Sequence, residues 1–151
     1  MAVPYLACMA FIAGLNHLPP RVLPSIQAVE GGAPGIVHRN TDSSEDLGVM
    51  QINTRWLPAL SGYFALPVDR VRVRLLAVPC FNIAAAGAVL RLYLNEAKGD
   101  LMTAIGDYHS HTKLLNQQYP VQVVRSATLL FGNARSAQGS VTQRAAARPQ
   151  E

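Results

Sequence analysis

With 151 residues, half of them hydrophobic and 15% charged, the chain is sized for one domain whose core needs neither several disulfides nor a structural metal. The formal charge of +4 is modest and dispersed, and the few aromatics are not interleaved with the arginines, which favours a basic solvated surface over a nucleic-acid site. No apolar run reaches the roughly 20 residues of a membrane span, and no CxxC motif or Cys/His cluster has metal-ligand spacing.

Met1 to Leu15 is the longest apolar stretch. No Lys or Arg precedes it, and Asn16-His17-Leu18-Pro19-Pro20 continues directly from it, so it reads as the first helix of the domain rather than a shortened signal peptide. Cys8 lies in this stretch and Cys80 far downstream. From composition alone, one disulfide and two buried thiols are equally open. If the two are joined, closing so long a loop would contribute roughly 4 kcal/mol in the chain-entropy treatment.

Leu18, Val22, Ile26 and Val29 recur at helical spacing, which predicts a helix from about Pro20 to Glu30. Pro24 implies a late start or a bend in the first turn, and Gly31-Gly32 stops the helix. Glu30 follows Ile26 by four residues and Val22 by eight, so it shares their inward face. A carboxylate there is costly unless paired or used. Held against apolar surface, it can stay protonated near neutral pH and act as a general acid. The alternative is a helix-end Glu swung out over the glycines.

Ala33 to Asp46 is rich in Pro, Gly, Asn, Asp and Ser and reads as an irregular loop. Its spare carboxylates, Asp42, Glu45 and Asp46, read as a solvated acidic surface in preference to a second catalytic acid. Leu47 to Ile52 is short and apolar, a strand or a helix entry. It carries Met50 and Gln51, and Asn53 follows; the Gln and Asn amides can orient a hydroxyl-rich ligand without adding charge. Across Ser61 to Pro79, Val68, Val71, Val73 and Leu75 are interleaved with Asp69, Arg70, Arg72 and Arg74, which resembles a strand locally but also allows a helical turn. Cys80 to about Lys98 is predicted as a central buried helix closed by Gly99, and Asp100 as the cap of a shorter helix running into Tyr108-His109-Ser110. Pro120 opens a last helix that Gly132 ends. Residues 1–132 form the predicted domain, and 133–151, with little that could pack, a flexible tail. His109 and His111 lack a carboxylate or cysteine partner at ligand spacing and read as loop histidines, not metal ligands.

In this order the segments resemble the family 1 lytic transglycosylases, goose-lysozyme-like enzymes that cut peptidoglycan, and most of all the small members that accompany type IV secretion, conjugation and pilus systems. The likeness rests on Ala28-Val29-Glu30, Asp46-Leu47-Gly48-Val49-Met50-Gln51-Ile52-Asn53, Trp56-Leu57-Pro58-Ala59-Leu60, Pro79-Cys80-Phe81-Asn82-Ile83 and Ala104-Ile105-Gly106-Asp107-Tyr108-His109. It spans Cys8 to Gly132. Each motif alone is weak; the signal is their order and spacing.

The resemblance implies a mainly α, lysozyme-like (goose-type) domain with a short irregular or β-like segment. It implies Glu30 as general acid and then base, with Met50, Gln51, Tyr108 and, more loosely, Asn40 lining the sugar site. No cofactor or metal is implied, and the resemblance favours a disulfide between Cys8 and Cys80. The family departs from the two-carboxylate scheme: the 6-hydroxyl of muramic acid attacks C1 and leaves a 1,6-anhydro end, which relieves Asp42, Glu45 and Asp46 of a catalytic role. The expected substrate is the β-1,4 bond between N-acetylmuramic acid and N-acetylglucosamine in peptidoglycan glycan strands. The expected setting is a periplasmic monomer that opens the wall for a secretion, conjugation or pilus apparatus, with apparatus proteins as further partners. Gly31 where the family has Ser, Ala86 where it has Gly, and His109 where it has Asn are departures. Gly31 and His109 motivate one alternative, a catalytically silent peptidoglycan-binding scaffold; the rival within enzymes is a goose-type lysozyme that hydrolyses the same bond.

Overall fold

The computed structural model describes residues 3–109 and 118–132. The chain is mainly helical, with a small antiparallel sheet, in keeping with the expected fold class. The proposed tail and His111 lie outside the described residues.

Helix α1 (Leu6–Leu15) is apolar around its whole circumference, yet it buries only Met9 and Ala13. Helix α2 (Val22–Glu30) begins two residues later than the pattern suggested, which puts Pro24 in the first turn, where a missing N–H leaves no helical bond unmade. The Ser25 hydroxyl donates to the Arg21 carbonyl at 2.7 Å and helps close that turn. The helix ends at Gly31 (φ 65°), whose N–H reaches the Gln27 carbonyl at 2.8 Å. This left-handed cap is a conformation that glycine adopts without penalty.

The predicted loop from Ala33 to Asp46 contains two strands. β1 (Val37–Arg39) pairs with β2 (Glu45–Leu47), and β2 with β3 (Ile52–Asn53), all antiparallel, in register Val37↔Leu47 and Leu47↔Ile52. Among the described residues no strand exceeds three residues, and β1 is exposed throughout, so apolar alternation could not announce them. Polar side chains tie the hairpin instead. The Asn40 amide donates to Ser44 Oγ and Asp46 Oδ2, each at 3.1 Å, and the Asn53 amide to Asp46 Oδ1 at 2.9 Å.

A 3-10 turn (Thr54–Trp56) leads into α3 (Leu57–Phe64) and α4 (Val68–Ala77). The alternation in α4 is not that of a strand. Val71 and Leu75, four residues apart, are buried, while Val73 between them is 60% exposed, which is helical spacing. Arg72 of α4 reaches Glu45 of β2 at 2.7 Å. That guanidinium, with Arg39 adding to it, holds the Glu45 carboxyl below its usual range.

The central element is α5 (Pro79–Glu96). It buries nine residues, from Asn82 to Leu94, and packs against α1, α2, α4, β3 and α6 (Leu101–His109). A Cβ on Gly87 would run into Ile12 and Asn16, so glycine sets the close crossing of α1 over α5. Asp100 caps α6 as expected: its Oδ1 accepts from the N–H groups of Met102 and Thr103 at 3.1 and 3.2 Å. A last helix, α7, covers residues 118–132. Among the described residues, no single helix is long and apolar enough to cross a membrane.

Cys8 and Cys80 are joined, with a Cα–Cα distance of 5.7 Å and a sequence separation of 72. The bond ties the exposed first helix to the start of α5. Replacing both cysteines with serine is expected to cost about 4 kcal/mol of unfolding free energy, since that is the loop entropy returned to the unfolded chain. Urea denaturation of the two proteins measures the difference directly.

Candidate active site

Three segments meet around the end of α2. Glu30 is its last residue, and its side chain is 16% exposed. The turn that follows lies on the loop 48–51: a Cβ on Gly32 would overlap the carbonyls of Gly48 and Val49. Only a residue without a side chain permits that approach, so the two glycines after Glu30 bring the carboxylate to the Met50-Gln51 segment.

That segment is held from beneath by Asn82 of α5, which is completely buried. Its Oδ1 accepts from the Met50 N–H at 2.8 Å. Its Nδ2 donates to the carbonyls of Leu47 at 2.8 Å and Leu75 at 2.9 Å. One amide thus satisfies groups from the sheet, the loop and α4. Gly48 has φ 71°, and a Cβ there would collide with the Leu75 carbonyl and the Asn82 amide. Gln51 is held with φ 52°, a conformation uncommon for a residue with a side chain. Its amide donates back to the Gly48 carbonyl at 2.9 Å.

The third segment is the end of α6 with Tyr119 of α7. The Tyr108 hydroxyl donates to the Met50 carbonyl at 3.0 Å. Tyr119, which is 2% exposed, donates its hydroxyl to Glu30 Oε1 at 2.5 Å. His109 Nδ1 is 3.9 Å from the same oxygen, and its ring stacks on that of Tyr119 with centroids 4.4 Å apart and planes 6° from parallel. Burial, reinforced by the Glu30 carboxylate, pushes the phenols of both Tyr108 and Tyr119 far above their usual value near 10. Each therefore keeps its proton at any working pH and serves as a fixed donor.

Of the residues singled out from the sequence, Glu30, Gln51 and Tyr108 belong to these three segments. Met50 belongs through its backbone only, because its side chain is fully buried. The contacts of Asn40 lie within the hairpin, to Ser44 and Asp46. Sequence reasoning missed Tyr119. It stands 89 residues from Glu30, and it lies within α7, where the sequence pattern opens the helix only at Pro120. The anchoring role of Asn82 was also missed, although the residue lies in a quoted motif.

Chemically, the arrangement offers one shielded carboxylate gripped by a neutral phenol, beside a rigid loop with an amide side chain. Among the described residues, no three His, Cys, Asp or Glu side chains converge on a point where a metal could sit. No protein-family model matches the chain, and no curated protein matches it.

Proposed function

We propose that the chain is a peptidoglycan lytic transglycosylase. It would cleave the β-1,4 bond between N-acetylmuramic acid and N-acetylglucosamine and leave a 1,6-anhydromuramoyl end. The observation that carries this reading is the carboxylate of Glu30, largely shielded, with the Tyr119 hydroxyl on one oxygen and the Gly48–Gln51 loop packed against Gly32.

The chemistry needs one group that moves a proton twice. Glu30 gives its proton to the glycosidic oxygen as the C1–O bond breaks, so the N-acetylglucosamine residue leaves with a free 4-hydroxyl and C1 becomes electron-poor. The Glu30 carboxylate then takes the proton from the 6-hydroxyl of the muramoyl residue as that oxygen bonds to C1. The carboxyl group is restored and no water is consumed, so no second enzymic carboxylate is required. Between the two transfers the carboxylate carries a charge, and the Tyr119 hydroxyl, which keeps its own proton, stabilises it. Gln51 borders the sugar-binding side.

A periplasmic setting fits both the substrate and the disulfide, since such bonds persist in oxidising compartments. Local opening of the wall for a secretion, conjugation or pilus apparatus is the proposed role. Digestion of purified sacculi followed by mass spectrometry tests the reading, because a hydrolase acting at the same bond adds one water to its product and a silent binding protein releases none.

A further inference from the structure

Among the described residues, Tyr119 and His109 both approach the same oxygen of Glu30, and they differ in kind. The Tyr119 hydroxyl makes a hydrogen bond. His109 stands at 3.9 Å from the same oxygen, too far for one, and presents its ring face to Tyr119 instead.

Tyr119 is 2% exposed, so its ring is held by the side chains packed around it, and the imidazole of His109 forms one flat wall of that enclosure. A wall parallel to the phenol fixes the plane of the ring and with it the line along which the hydroxyl points. His109 is itself anchored, as the last residue of α6, directly after the Tyr108 whose hydroxyl is bonded to the Met50 carbonyl. A chain of contacts therefore runs from the Met50 loop through Tyr108 to the end of α6, across the imidazole face to the Tyr119 ring, and from its hydroxyl to Glu30.

We propose that His109 is a positioning residue: its planar ring holds the Tyr119 phenol in line with Glu30 Oε1, and the aromatic face, not the ring nitrogens, does this. The inference rests on the reading of Glu30 as the catalytic acid. It assigns His109 no proton to carry and no contact with the reacting atoms.

The test compares His109→Phe, which keeps a flat ring, with His109→Ala, which removes it; the side chain is 40% exposed, so both variants should fold. Parallel aromatic contacts contribute on the order of 1 kcal/mol, so His109→Ala should lower kcat about fivefold with KM nearly unchanged. His109→Phe should stay within about twofold of the parent on the same scale. In a Tyr119→Phe background, His109→Ala should have no further effect, because the hydroxyl it positions is gone.

A second readout does not depend on activity. The Tyr119 hydroxyl proton, identified by its loss in Tyr119→Phe, should appear as a slowly exchanging downfield NMR signal in the parent and in His109→Phe, and should exchange at least severalfold faster in His109→Ala. Equal exchange in all three proteins overturns the proposal, and so do equal losses of kcat in the Phe and Ala variants or losses that multiply in the double variant. If the parent releases no soluble product, the functional reading fails, and the proton-exchange comparison still decides the role of His109.

Discussion

Replacing Glu30 with Gln is expected to lower release of soluble muropeptides from sacculi by about 100- to 10,000-fold, the range a positioned general acid contributes. The substitution changes one atom and no volume. The side-chain oxygen still accepts from Tyr119, so the network from Met50 to α7 persists and the urea midpoint should move little. The loss falls on chemistry because the amide has no proton to give to the glycosidic oxygen and no basic oxygen to take one back from the 6-hydroxyl. A Glu30→Gln protein with parental activity would exclude Glu30 as the acid. One that lost activity together with its folded state would leave the chemistry undecided, and near-ultraviolet circular dichroism separates the two cases.

The largest effect on stability outside the disulfide is expected at Asn82. Asn82→Leu keeps the branching at Cγ but is bulkier; it removes one acceptor and two donated bonds, and takes the Asn82 partner from the Met50 N–H and from the carbonyls of Leu47 and Leu75. An orphaned buried group costs on the order of 1–3 kcal/mol, and the three share one amide and do not add independently, so a combined loss of roughly 3 kcal/mol or more is expected in urea denaturation. Activity should fall as well, because the same amide holds the loop that carries Gln51 and packs against Gly32. A destabilisation below about 1 kcal/mol would mean that water or a local shift replaces the amide, and the view of Asn82 as the keystone of the loop would be wrong.

The legible parts of the fold were those in which one face repeats at helical spacing over several turns. Ile26 and Glu30 of α2, the apolar run of α5 and the Asp100 cap all appear where the sequence places them. Periodicity failed in two places for different reasons. In α4, arginines separate the valines one by one, and only burial distinguishes inward Val71 from outward Val73. In the sheet, the strands are too short and too exposed for any period to show, and their register is set by Asn40, Asn53 and Asp46. Side-chain hydrogen bonds of that kind leave no pattern in the order of residues.

The candidate site divides the same way. Glu30 could be found because a carboxylate on an apolar helix face is unusual enough to need a reason. Gly31, which departs from the motif of the family the sequence resembles, has a reason of its own: it ends α2 in the left-handed conformation. Tyr119 could not be found, since its partner is 89 residues away and nothing in the residues next to it points to a carboxylate. The pairing of Cys8 with Cys80 was open from composition and came from the resemblance alone. In each of these cases the missing information is tertiary: which ends of which helices meet.

The central claim is that Glu30 serves a reaction in which the substrate supplies its own nucleophile. Mass analysis of the soluble products from purified sacculi tests this most directly. The account predicts disaccharide-peptides ending in 1,6-anhydromuramic acid, one water lighter than the hydrolytic species. Products that carry the extra water, or none released by the parent protein, would contradict it.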